Sequence, residues 1–263
     1  MFFERFRRRR ILSRAVLPEG AWRRVCADLP LLGVLSPAES GRLRDLAILF
    51  LHAKNVSSAA GLVLDEEMRL LIAAQACVPI LNLGLDWYDG WEEVIVYPAE
   101  FVPLHEYTDE AGVVHASRHP LMGEAWPQGP VILSWEDACR SGAADGINVV
   151  IHEMAHKLDM RNGPADGFPP LHREMRVRDW TRAFTEAYED FQAQVDAGAE
   201  TAIDPYAAEH PAEFFAVLSE AFFEIPHVLR DCYSDVYAQL AAFYRQDPAL
   251  RLAREGRRRE ENE

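Results

Sequence analysis

Two histidines four residues apart, His152 and His156, enclose Glu153 in the stretch GINVVIHEMAHKLDMRNG at residues 146–163. On an α-helix the side chains at i and i+4 stand one above the other, so both imidazoles point the same way. Two ring nitrogens so placed can hold one zinc ion at about 2.0–2.1 Å. Glu153, next to the first histidine, reaches past such an ion towards a water, which is where a general base for hydrolysis must stand. The plainer alternative is an ordinary amphipathic helix, because three fixed positions in five recur by chance. Context favours the metal: Ile147, Val150, Ile151, Met154 and Leu158 form an apolar stripe that leaves the histidines off it, and a short β-rich run precedes the helix.

A catalytic zinc takes three protein ligands and keeps one position open. The pattern HExxHxxGxxH is excluded, since position 159 is Asp and position 162 is Asn, so the third ligand must come from farther along. The segment DPYAAEHPAEFFAVLSEAFFE is the downstream helix that mixes acids with a strong apolar face. His210 is its expected cap and Pro211 its start, with Phe214, Val217, Leu218, Ala221 and Phe222 as the buried stripe. Glu213 and Glu220 share another face, two turns apart. Glu213 is the better ligand, and Glu220 is either an acceptor that orients a bound imidazole or a solvated acid. Asp159, one turn beyond His156, carries the same two readings. His52, His105, His115, His119, His172 and His227 have no partner at ligand spacing and read as surface or satisfied core histidines.

The elements that position these residues follow from composition and pattern. A chain of 263 residues with 49% apolar and 26% charged residues is an ordinary globular protein with ample material for a core. Its formal net charge of −15 argues against a nucleic-acid surface. Cys26, Cys77, Cys139 and Cys232 lie far apart without a CxxC pair and are expected to be reduced, mostly buried thiols. Six arginines between Arg5 and Arg14 are followed by no uninterrupted apolar core, so a signal peptide is not expected, and no run approaches the ~18 apolar residues of a membrane span. Residues 1–18 therefore read as a solvated basic arm, with contact to anionic lipid or an acidic partner as the other reading, and the chain as cytoplasmic.

Ser36, Pro37 and Glu39 open a capped helix with Leu43, Leu46, Ala47, Phe50 and Leu51 as its apolar rows, and a second helix runs from Asp65 to near Pro79. EEVIVYP, GVVHAS and GPVILSW are short β-runs; helices return over 146–160, 175–196, 211–224 and 228–245. Trp87, Tyr88 and Trp91 are expected to cover the sheet or to rim a cleft. The run Val131–Trp135 is expected to offer an edge to an extended peptide. The order helices, small sheet, helices predicts an α+β fold. The charged tail over 251–263 is expected to be disordered.

HEMAHKLDMRNG followed by DPYAAEHPAEFFAVLSEAFF closely resembles the Mlc titration factor A family of zinc peptidases, and the likeness runs on through GPVILSW and the closing FYRQDP. The resemblance implies a gluzincin-like site with one Zn2+ held by His152, His156 and Glu213, with Glu153 as catalytic base and Tyr206 as the matching tyrosine upstream of the glutamate ligand. With the order of elements it predicts a helical portion over 19–80 packed on a catalytic domain over 81–250, zincin-like, with a small, mostly antiparallel sheet. It also implies a cytosolic, aminopeptidase-like enzyme acting on short peptides, and a partner, the transcriptional repressor Mlc of sugar-uptake genes. A binding module that sequesters a repressor without catalysis is the alternative. The arginine-rich start and charged tail depart from the family pattern.

Overall fold

The computed structural model describes residues 2–15, 17–101, 105–108, 114–117 and 122–260. The chain begins with helices α1 (Phe2–Arg14), α2 (Glu19–Asp28), α3 (Pro30–Gly33) and α4 (Pro37–Ala53), then strand β1 (Asn55–Ser58) and helix α5 (Glu66–Cys77). Strands β2 (Glu93–Tyr97), β3 (His105–Thr108), β4 (Val114–Ser117), β5 (Gly123–Ala125) and β6 (Val131–Ser134) follow. Helices α6 (Trp135–Arg140), α7 (Val149–Asp159), α8 (Val177–Asp196), α9 (Pro211–Glu224), α10 (Pro226–Cys232), α11 (Ser234–Tyr244) and α12 (Pro248–Glu260) complete it. The fold is α+β and dominated by helix, as the order of patterns predicts.

The local signals act where they stand in the chain. Ser36 caps α4 in a full capping box with Glu39, and the Asp65 side chain accepts from Met68 N to start α5; caps of this kind are worth about 1 kcal/mol each. His210 caps α9 as expected, its Nδ1 accepting from Ala212 N. Leu43, Ala47 and Phe50 are fully buried, and they share one apolar cluster with residues from α5 to α11. The N-terminal helices and the rest of the chain thus bury a common core.

The sheet differs from expectation. Its strand order is β1-β2-β6-β5, with β1–β2 and β2–β6 parallel and only β5–β6 antiparallel. The expected antiparallel sheet is therefore a mixed, mainly parallel one. Sequence reading lacks three strands, β1, β3 and β5; β1 is four residues of NVSS directly after α4, too short and polar to show a β pattern. Helix α5 then serves as the crossover that a parallel β1–β2 pair requires. Because β6 pairs on both sides, the run beginning at Val131 offers no edge; that role falls to β5. β3 and β4 form a separate antiparallel hairpin, and His105 and His115 lie on it, whereas His119 lies outside the described residues.

Other expectations are refined. The helix expected over 228–245 is two helices that meet at Tyr233, where the backbone leaves the helical region (φ −137°, ψ 71°). The tail forms helix as far as Glu260, since its Arg, Glu, Ala and Leu residues are strong helix formers. Arg251 ties this helix to Glu39 of α4 at 2.8 Å. Residues 261–263 lie outside the described residues. All four cysteines are free, but only Cys77 is buried, and Cys139 and Cys232 are exposed. Trp87, Tyr88 and Trp91 belong to the core rather than a cleft rim. Tyr88 donates to Ala76 O, and Trp87 packs on Phe243 and on His172, whose Nε2 donates to Phe243 O.

Candidate metal centre

The site is built where α7 crosses α9. Asn148 caps α7, its side chain accepting from Ile151 N, and Val150, Ile151, Met154 and Leu158 anchor the helix in the core with no exposed surface. Ile147, expected on this stripe, precedes the helix and is 46% exposed. With the apolar row fixed inward, His152 and His156 must project together towards α9, and their ring centroids lie 4.8 Å apart. Glu213 stands in the first turn of α9 and meets them. The distances are 3.1 Å from Glu213 Oε2 to His152 Nε2, 3.4 Å to His156 Nε2, and 3.1 Å between the two nitrogens. Of the acids considered from sequence, Glu213 is the one brought to both rings; His152, His156 and Glu213 form a group able to hold a metal ion.

These residues fit a zinc-like cation on two grounds. A triangle with edges of 3.1–3.4 Å matches three corners of a tetrahedron whose centre is about 2 Å from each donor. The electrostatics of the cluster also favour positive charge. Burial opposes protonation of His152, but the Glu220 carboxylate and its bonds to Glu213 and Glu220 hold its pKa well above the ordinary histidine value. Burial likewise opposes the charge on Glu213, yet hydrogen bonds from His152 and His156 hold its carboxyl well below the usual range. Positive charge is thus favoured at the point the side chains share.

Glu220 is buried, not a solvated acid. Its Oε1 accepts from His152 Nδ1 at 2.8 Å and its Oε2 accepts from Asn148 N, so one carboxylate grips both the ring and the start of its helix. With Nδ1 carrying the proton, Nε2 presents its lone pair to the metal position. Below it Glu224, a rival to Glu213 as ligand on sequence grounds, accepts from Asn148 Nδ2 and Ala144 N, both at 2.8 Å. Burial pushes its carboxyl up to about 7 against these hydrogen bonds. Asp159 is fully buried; its Oδ2 accepts from Asp166 N and Gly167 N at 2.9 and 2.7 Å, fixing the loop that follows α7. The Asp159 Oδ1 and His156 Nδ1 atoms are both buried without a hydrogen-bond partner.

Glu153 is 3% exposed, and burial pushes its carboxyl up to about 7 against the pull of His152 and His156. Its Oε2 has no partner. The side chain lies directly against β5: a Cβ on Gly123 would stand 2.4 Å from Glu153 Oε1 and 2.8 Å from Val149 Cγ2. Any larger residue there would push the Glu153 side chain aside. A glycine inside a strand marks such close approach, but the sequence around Gly123 shows no β-run to reveal it. Lys157, next to His156, donates to Trp126 O and Gly129 O and so ties the β5–β6 turn to α7. Tyr206 sits on a 3₁₀ turn, Pro205–Ala208, capped by Asp204, with its ring 6.2 Å from that of His152. A cavity of about 300 Å³ opens between Gly123, Ile147, Val149, Glu153, Tyr206 and Val217.

Such an arrangement, two histidines and a glutamate around one point with a buried carboxylate beside an open cavity, is suited to metal-assisted hydrolysis. Comparison with known proteins agrees. A protein of Klebsiella pneumoniae named Mlc titration factor A is 41% identical over 246 residues, spanning 93% of this chain and 92% of its own length. Proteins of the same name from Cronobacter sakazakii (43% identical, 85% of each chain) and Salmonella agona (44% identical, 89% of this chain and 91% of its own length) are similarly related. The family described as glucose-regulated metallo-peptidase M90 matches residues 3–245, and this chain belongs to it.

Proposed function

We propose that the protein is a zinc-dependent peptidase, aminopeptidase-like and acting on short peptides, with a zincin-like catalytic domain over 81–250. The observation that carries this reading is the 3.1–3.4 Å triangle of His152, His156 and Glu213 with the Glu153 carboxylate alongside. One bound Zn2+ would polarise the scissile carbonyl and acidify a water. Glu153 takes the proton of that water as its oxygen attacks the carbonyl carbon, then gives the proton to the amine nitrogen as the C–N bond breaks. Tyr206 is protonated at neutral pH, with desolvation and the Glu213 carboxylate both raising its pKa, so its hydroxyl serves as a donor to the developing oxyanion. Glu220 orients His152, and Asp159 supports the end of the helix that carries His156 by fixing the loop beyond it.

The peptide lies along β5. Met122 and Trp126 spend their backbone groups on Ser134 and Pro130, so the alternation of an antiparallel pair turns the N–H and C=O of Gly123 and Ala125 outward. These groups are the ones an added strand would use. Zinc content of the purified protein, measured together with hydrolysis of amino-acid anilides and short peptides, tests the reading; metal-free protein or an inert panel would sink it.

Two further outcomes follow. Gly123→Ala should keep its metal yet lose up to ~10²-fold in kcat/KM, because the new methyl displaces the base by about an ångström. Unchanged kinetics would show that Glu153 does not work from this position. Glu220→Gln should weaken zinc binding by roughly 10–100-fold, since the imidazole loses the carboxylate that fixes its tautomer. A competition titration against a chelator reads this directly, and wild-type affinity would remove Glu220 from the scheme.

The second reading, a module that sequesters a repressor, is supported by the name its relatives carry, Mlc titration factor A. The two are compatible, and a cytoplasmic location suits both. Among the described residues no helix is long and apolar enough to cross a membrane.

A further inference from the structure

Helix α1 has two unlike faces. Ile11 and Leu12 pack against the core, and Arg8 pairs with Asp86. On the opposite face Phe6 is 64% exposed. Arg9, Arg10 and Ser13 follow it at i+3, i+4 and i+7, so they surround it on the helix surface, with Arg5 and Arg14 at the flanks. Arg5, Arg9, Arg10 and Arg14 are all exposed, and among the described residues their side chains have no hydrogen-bond or ion-pair partner. Six of the 13 residues of this helix are arginines against one glutamate, in a chain of net charge −15. A concentration of positive charge in an acidic protein, with an aromatic ring at its centre, costs solvation of the ring and repulsion between the arginines unless something covers it.

We infer that the outward face of α1 is a docking surface for an anionic lipid bilayer, with Phe6 entering the interface and Arg5, Arg9, Arg10 and Arg14 pairing with lipid phosphates. The chemistry selects this partner. Guanidinium groups pair with phosphate oxygens in bidentate fashion, and an aromatic ring on the exposed face of a surface helix reaches the boundary between headgroups and acyl chains. An acidic polypeptide would satisfy the arginines but leave Phe6 in water. Duplex DNA would bring a long polyanion against the acidic remainder of the chain. A membrane touched only by α1 keeps much of that remainder beyond the ~8–10 Å over which salt lets charges act. The helix lies on the bilayer and does not span it, so attachment is weak and reversible. None of this rests on the metal centre.

The test is co-sedimentation of the full chain with vesicles of phosphatidylcholine alone or mixed with phosphatidylglycerol. The expected result is binding to the mixed vesicles only, reversed by raising the salt concentration. Each arginine near an anionic surface contributes roughly fivefold to partitioning, so Arg9→Gln/Arg10→Gln should bind ~25-fold more weakly, and Phe6→Ser should also reduce binding. Both substitutions lie on the exposed face, and unchanged circular dichroism and thermal midpoint would show that they leave the fold intact. The inference is overturned by equal partitioning to both vesicle types, by no binding to either, by wild-type affinity in the arginine variant, or by binding to polyglutamate without binding to vesicles.

Discussion

Glu153→Gln protein is expected to bind zinc as the wild type does and to hydrolyse the peptide panel ~10²–10⁴-fold more slowly, the usual cost of losing a general base. The structure explains why the two effects separate. Glu153 lies against Gly123 of β5 and is not one of the three residues grouped to hold a metal, and its buried Oε2 atom has no hydrogen-bond partner. An amide of the same shape keeps the packing against Gly123 and Val149 but has no basic oxygen to receive that proton. It also removes a carboxyl that burial holds near the point of protonation, so folding should not suffer. The measurement is kcat/KM on preparations whose zinc content has been verified. Wild-type rates would assign the hydrolysis to another site and make the repressor-binding reading the better one. Repressor binding, if this chain has that role, should survive the substitution, because Glu153 is buried and the outer surface is unchanged.

The second large effect is loss of the metal. His152→Ala, His156→Ala and Glu213→Gln should each take the protein from one zinc per chain to a small fraction of that after dialysis against a chelator. Each variant removes one corner of the triangle, and a neutral amide is a poorer ligand for zinc than a carboxylate. Glu209, Glu220 and Glu224 supply the contrast. Glu220 and Glu224 already accept hydrogen bonds from His152, Asn148 and Ala144, and the metal-binding group does not include Glu209. The corresponding glutamine variants should therefore retain zinc better than Glu213→Gln. A larger loss in Glu220→Gln than in Glu213→Gln would mean that the ligand face of α9 had been read two turns out of place. Elemental analysis of all six variants, with circular dichroism to confirm the fold, decides the matter.

Much of this centre was legible before any fold was known, for reasons that are local. The i, i+4 spacing of His152 and His156 and their offset from an apolar stripe are properties of one helix, set by its period alone. The caps at Ser36, Asp65 and His210 are contacts between residues two or three apart, so they too could be read directly. Glu213 was reachable because α9 carries its acids on a row distinct from a strong apolar face.

What lay beyond the sequence depends on contacts between elements distant in the chain. Whether Glu220 was a solvated acid or a partner of His152 turned on how closely α9 crosses α7, which joins residues 68 apart. The direction of the strands was hidden because short strands carry no signal of which way a neighbour runs, and both the β1–β2 and β2–β6 pairs turn out parallel. The edge belongs to β5 instead of β6 for the same reason: neighbours in a sheet are chosen by hydrogen bonds across the chain, not along it. Periodicity and capping determined which side chains could act together on one helix. Only packing decided that Glu153 would lie against Gly123, because that contact exists solely where strand, helix and buried carboxylate compete for the same few ångströms.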